Sequence, residues 1–145
     1  MECLIPSINT NDGNKLKDIF STCKRIAIVG LSPDPTKDSH KVAKYLQEHG
    51  FKIYPIYPKE DMILGEKVYR TITEITEPID MVDMFRKADI ANSLIEEVIQ
   101  RGDIKVFWLQ LGIVNDPACE IAQKNGIIAV QNKCTKLEYE RLHQQ

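Results

Sequence analysis

No stretch of this sequence approaches the roughly 18 consecutive apolar residues of a membrane span. The opening Met1-Glu-Cys-Leu-Ile-Pro6 has no basic region followed by an apolar one. The chain therefore reads as soluble and cytoplasmic, with no membrane partner. Cys3, Cys23, Cys119 and Cys134 form no C-x-x-C pair, which argues against a zinc site or a thioredoxin-type motif and for free thiols in a reducing compartment. Neither sign of charge is in large excess. A formal net charge of −2 gives no general attraction to nucleic acid or an anionic surface, so any anion site must be a local cluster. Spacing assigns no paired-carboxylate acid/base set, no nucleophile triad and no metal cluster. Repeats and low-complexity segments are absent. At 145 residues with 43% hydrophobic content, the sequence can bury the core of one domain and has no room for a second.

The most informative stretch is residues 25–50. Ile26 to Val29 is a β-branched apolar run ending in Gly30. A long loop follows, and then Val42, Ala43, Tyr45 and Leu46 fall at helical spacing, with Gly50 at the C-terminal stop. This is the first half of a nucleotide-binding βαβ unit. Gly30 permits a sharp turn with positive φ that leaves amides open to a ligand, and the helix N-terminus offers unpaired N–H groups and partial positive charge for phosphate. The G-x-G-x-x-G spacing is not continued, and Pro33 and Pro35 stand where its later glycines would fall. A standard NAD cradle is therefore not expected.

Upstream, Asn11 or Asp12 can cap a helix whose Leu16, Ile19 and Phe20 share one face and which ends near Cys23. Residues 1–23 read as a helical extension packing on a domain formed by residues 24–145. Lys52 to Tyr57 makes a second strand, ended by Pro58. Residues 59–79 hold short elements around Ile63-Leu-Gly65 and Val68-Tyr69, and a helical turn at Thr73 to Ile75. Met81 to Phe85 is the third strand. The next helix carries Leu94, Ile95, Val98 and Ile99, opened by Asn92 or by a Ser93/Glu96 capping box. Val106 to Leu109 is strand four. Asp116-Pro117 starts a helix, with Asp116 as its cap, that Gly126 closes. Ile127 to Val130 is strand five. Thr135 and Glu138 form a capping box for a last helix through Leu142. The expected fold is α/β: a single Rossmann-like, doubly wound, mostly parallel five-stranded sheet with helices on both faces.

Ligands of such sheets sit beyond the carboxyl ends of the strands. Those ends carry Gly30-Leu31-Ser32, Tyr57-Pro58-Lys59, Phe85-Arg86-Lys87, Gln110-Leu-Gly112 and Gln131-Asn-Lys133-Cys134. Glycine turns, small hydroxyls, an aromatic ring and several cations suit a phosphorylated nucleotide.

The motifs G-L-S at 30–32, S-H at 39–40, Y-P at 57–58, I-L-G-E-K-V-Y at 63–69, D-M-F-R at 83–86, W-L-Q-L-G at 108–112 and N-K-C at 132–134 together resemble the small stand-alone CoA-binding proteins. These are single-domain relatives of the CoA-binding domain of the succinyl-CoA synthetase alpha subunit. The resemblance runs from Lys24 to Leu142. It implies a Rossmann-like fold that binds coenzyme A, usually without a demonstrated reaction. Carried onto this chain, it implies a glycine loop at Gly30, Leu31 and Ser32 and a phosphate-side helix start at Ser39 and His40. It puts a far wall at Phe85 and Arg86, and Gln110 and Gly112 at the end of strand four. Two positions depart from its pattern. Pro-x-Asn-Pro reads Pro55-Ile-Tyr57-Pro58 here, and Asp-Arg-Cys reads Asn132-Lys133-Cys134.

Several of these residues keep two readings. Ser32 and Ser39 either donate to a pyrophosphate or cap the loop and helix. His40 either binds phosphate or is an exposed first-turn histidine. Lys59 could meet the ribose phosphate of CoA or of NADP, or be a solvated loop lysine, while Arg86 has a guanidinium fork suited to phosphate. Asp83, inside an apolar run, should take a structural hydrogen bond to loop amides. Phe85 and Trp108 are core residues or adenine walls. Cys134 lies between Lys133 and Lys136 ahead of a helix start, a setting that could favour its thiolate and disulfide exchange with a CoA sulfur; the other reading, and the leading one, is an inert buried or simply exposed cysteine. Three functions follow. The leading one is non-enzymatic binding of CoA or an acyl-CoA, as a regulator or carrier. The second is an NADP-linked oxidoreductase or a CoA-thiol redox protein using Cys134. The third is an interaction subunit with a vestigial nucleotide pocket, and a protein partner or a second copy of the chain fits any of them. No metal is expected.

Overall fold

The computed structural model describes residues 13–143; the expected Asn11 or Asp12 cap and Cys3 lie outside them. In chain order the elements are α1 (Gly13–Thr22), β1 (Arg25–Val29), α2 (Asp38–Glu48), β2 (Lys52–Ile56), β3 (Met62–Ile63), β4 (Glu66–Lys67), a 3-10 turn (Ile72–Glu74), β5 (Met81–Met84), α3 (Ile90–Arg101), β6 (Val106–Leu109), α4 (Asp116–Lys124), β7 (Ile128–Val130) and α5 (Thr135–Leu142). Five strands form one sheet in the order β2-β1-β5-β6-β7, and every pairing in it is parallel. The antiparallel content is confined to the separate β3–β4 hairpin.

Alternation along the strands divides the apolar residues between two layers. Ala27, Val29, Val82, Met84, Phe107 and Leu109 face α3, α4 and the 3-10 turn. Ile26, Ile28, Met81, Val106 and Trp108 face α1, α2 and α5. In this second layer the Tyr139 ring stands edge-on to Phe20 and Phe51, with centroids 5.5 and 5.6 Å away, and stacks on His143 at 4.0 Å. The packing ties the start and the end of the described chain together.

The helix starts depart from the expected caps, each for a local reason. α4 is capped by Asn115, whose side chain accepts from the Ala118 amide at 3.0 Å. Asp116 instead accepts from Gln131 Nε2. α3 begins at Ile90, ahead of the Asn92 and Ser93/Glu96 alternatives. There Asn92 accepts from Asn115 Nδ2 and Ser93 Oγ donates to the Ile90 carbonyl. Thr135 does not cap α5, because its hydroxyl is drawn into the sheet.

That hydroxyl meets Asp83, which is fully buried on β5. Asp83 Oδ2 accepts from Thr135 Oγ1 at 2.9 Å, and Oδ1 accepts from Gln110 Nε2 at 2.6 Å. Gln110 Nε2 also donates to Thr135 Oγ1 at 2.9 Å. Side chains rather than loop amides thus satisfy the carboxylate, and they join β5, the end of β6 and the first residue of α5. Burial pushes the Asp83 carboxyl up to about 7, against the pull of the two hydrogen bonds.

Between the ordinary value of 3.8 and about 7, the folded chain holds a proton that the unfolded chain has released. This contribution to stability is therefore fully present below the unfolded value and is lost as pH rises through the folded one. Urea unfolding should show wild type losing about 2–3 kcal/mol between pH 5 and pH 8 relative to Asp83→Asn. Parallel pH profiles for the two proteins would contradict this.

Candidate functional site

The chain runs outward from β1 to β2 and then crosses back to β5, so the strand order reverses between β1 and β5. In an open parallel sheet that reversal leaves a crevice at the carboxyl ends. Here it opens into a cleft of about 660 Å³ bordered by Gly30, Ser32, Tyr57, Phe85, Gln110 and the first turns of α2 and α5.

Gly30 has φ +89°, and a Cβ there would lie 2.9 Å from Arg86 Cδ and 3.3 Å from the Phe85 carbonyl oxygen. The turn thus needs glycine both for its conformation and for the close passage of the β5 end. Its amides are not open to a ligand, contrary to expectation. Gly30 and Leu31 both donate to the Ile56 carbonyl, at 2.9 and 3.3 Å, and the Leu31 side chain is buried in the core.

The loop that follows is held by its own side chains. The Ser32 amide donates to Ser39 Oγ at 3.0 Å, and the Ser32 carbonyl accepts from His40 Nδ1 at 2.9 Å. Ser39 and His40 therefore clamp both backbone groups of one residue, Ser32. Ser39 borders the cleft, and His40 does not. Asp34 Oδ1 accepts from the Thr36 amide and hydroxyl, and these two bonds hold its carboxyl below the usual range. A loop fixed in this way sets where α2 begins, and α2 brings Lys37, Asp38 and Lys41 to the rim.

Tyr57 and Phe85 are half-buried on the cleft wall. Pro58 and Lys59 are exposed outside it. Their loop is secured by Arg70 Nη1, which donates to the Tyr57, Lys59 and Glu60 carbonyls at 3.0, 3.0 and 2.9 Å. Arg86 does not border the cleft, and its stem lies over Gly30. Gly112 also lies outside; its amide donates to Asn132 Oδ1 at 2.7 Å, and Asn132 holds φ +60°, a conformation that asparagine tolerates. Trp108 is a core residue whose Nε1 donates to the Lys133 carbonyl.

Sequence reasoning missed Lys37, Lys41 and Lys136, together with an apolar lip formed by Leu111, Ile113 and Leu137. A lysine i, i+4 pair formed by the N-cap and the first turn of α2 was the available signal for the first two. Leu111 and Leu137, at 63% and 52% exposure, are large hydrophobics left facing solvent at the cleft mouth. Lys37 and Lys41 thus lie toward β1 and α2, Lys136 stands on α5 beside Leu137, and the apolar lip lies toward the β6 end.

Cys134 borders this cleft, and its surroundings favour the inert reading over the activated thiolate. Burial pushes the thiol up and the nearby Asp83 charge adds to this; the Leu137 and Lys136 amides and the Lys136 charge pull it down without prevailing. Burial outweighs the helix start and the lysine. Iodoacetamide should modify Cys134 several-fold more slowly at pH 7.5 than it modifies an unstructured cysteine peptide, as read by peptide mass mapping. Equal or faster labelling would show an activated thiol.

The chain is 37% identical over 125 residues to the uncharacterized protein YneT of Bacillus subtilis, covering 86% of this chain and 92% of that protein. It is 34% identical over 123 residues to an ADP-forming acetate–CoA ligase of Archaeoglobus fulgidus, where the match takes in 77% of this chain but only 18% of the ligase. Among solved structures, a hypothetical protein from Pyrococcus horikoshii superposes with a TM-score of 0.86 at 38% identity, over 90% of this chain and 91% of that one. Residues 24–140 match the CoA binding domain. This chain belongs to the CoA-binding domain family.

Proposed function

We propose that the chain binds coenzyme A or an acyl-CoA in the cleft between α2 and α5, as a carrier or regulatory protein rather than a catalyst. The observation that carries this reading is the polarity of the cleft. Lys37 and Lys41 stand at the β1 side and Leu111, Ile113 and Leu137 at the other, which matches a ligand with phosphates at one end and a long, weakly polar arm at the other. Because the Gly30 and Leu31 amides are tied to Ile56, phosphate recognition falls to the lysine side chains and the start of α2. That arrangement favours CoA over a dinucleotide, whose pyrophosphate is held by backbone amides of a glycine-rich turn. The raised Cys134 thiol favours binding over thiol chemistry.

Isothermal titration with CoA should give one site per chain that NADP does not displace. The Lys37→Ala/Lys41→Ala double variant should bind CoA at least about tenfold more weakly, as expected for lost charge-assisted contacts, with an unchanged melting temperature. Gly30→Val should lose binding and melt lower, since its side chain meets the Phe85 carbonyl. Full affinity in both variants would move the site elsewhere, and displacement by NADP would favour the oxidoreductase reading.

A further inference from the structure

We infer that Gln110 Oε1 is a fixed hydrogen-bond acceptor for an N–H or O–H donor in the middle of the ligand, and that the Asp83 carboxylate sets its direction. This rests on the proposed CoA site and adds to it a recognition element for the pantetheine arm, whose amides and hydroxyl supply such donors.

Gln110 is 4% exposed and borders the cleft. Its Nε2 uses both protons, one on Asp83 Oδ1 and one on Thr135 Oγ1. Its Oε1 has no partner among the described residues, yet no side-chain polar atom fully closed from solvent is left unpaired. The amide oxygen therefore keeps some exposure, and the cleft is the space that Gln110 borders. An acceptor so buried and without a partner of its own is suited to take one donor from a molecule in the cleft. Its position also fits: β6 lies two strands from β1, about 10 Å along the sheet edge, so a ligand whose phosphates meet α2 passes its arm over Gln110.

The direction of this amide follows from charge. An ionised carboxylate only accepts, so Gln110 and Thr135 must both donate to it, and the glutamine oxygen faces out. Once Asp83 takes a proton it becomes a donor, and the amide can turn to accept from it, presenting Nε2 to the ligand instead. An N–H donor on the ligand then meets another N–H. Groups that face Asp83 leave it to set this equilibrium. Cys134 and Thr135 stand at the N-cap and first residue of α5, Trp108 lies on β6 with Gln110 just past its end, and Ile28 lies on β1. Of these only Cys134 titrates, and its thiol is raised from 9.0, so it stays neutral near pH 7. Across the cleft stand Lys37, Asp38 and Lys41. Burial of Asp83, which carries its titration to about 7, brings the switch into the neutral range.

The test is isothermal titration from pH 6 to pH 8.5 with CoA and with adenosine 3′,5′-bisphosphate, which carries a 3′-phosphate but no arm. For wild type, CoA affinity should rise with pH by about tenfold more than that of the bisphosphate, the size of one net hydrogen bond. In Asp83→Asn this excess should disappear. In Gln110→Met, which removes the amide acceptor and changes no residue of β5, though Asp83 loses one donor, the CoA and bisphosphate profiles should run parallel, so the inference can be tested even if Asp83→Asn does not fold. An excess that persists in either variant overturns the role of Gln110, and equal profiles for both ligands in wild type overturn it too. Absence of binding by CoA and bisphosphate alike would overturn the site itself.

Discussion

A carboxylate without a counter-ion sits at the centre of one face of the sheet, and much of the molecule is arranged around it. Asp83 is covered on both sides by neighbouring strands, Ile28 opposite it on β1 and Trp108 on β6. Leaving such a group unpaired would cost several kcal/mol. The chain meets this demand with two neutral donors, Gln110 and Thr135. One of these ends a strand and the other begins a helix, so satisfying the carboxylate also fixes how far β6 extends and where α5 starts. The wall of the cleft that faces α2 is a by-product of that requirement.

The opposite wall is built on a different principle. After Gly30 the backbone does not form an open amide cradle; its N–H groups return to β2, and the loop binds itself through Ser32, Asp34, Ser39 and His40. Residues that look like ligand contacts are used to make the loop rigid. The cations that remain for a ligand come from side chains one turn further on. A site of this kind holds phosphate by charge placed on a preorganised frame, so little ordering cost is left for the binding step.

Periodicity made the framework legible. Each of the five sheet strands and the helices between them lies within a few residues of its apolar pattern, because burial on both faces writes a continuous signal into the strands. Helix starts were less legible. Asn115 caps α4 one residue before the expected Asp116, and Thr135 abandons its capping role for Asp83. A hydroxyl followed by a glutamate is a local signal, and a long-range bond across 52 positions overrides it. Around the cleft, Gly30, Ser32, Ser39, Tyr57, Phe85 and Gln110 were found through their place at strand ends and an early helix turn. Leu31, His40, Pro58, Lys59, Arg86 and Gly112 share those neighbourhoods in sequence but do not border the cleft. Side-chain direction depends on the loop path, which no short pattern records. Lys37, Lys41 and Lys136 were missed for the converse reason, since a helix-borne lysine looks the same in sequence whether it faces a cleft or open water.

The segment after β4 has a consequence of its own. Tyr69 donates to the Pro55 carbonyl and accepts from the Tyr57 amide, so the chain lies alongside β2 as a partial sixth strand. One border of the sheet is thereby closed by the protein's own backbone. The other border is β7, only three residues long. Little ladder is left on which a foreign strand could nucleate, so the fold carries its own guard against cross-β polymerisation.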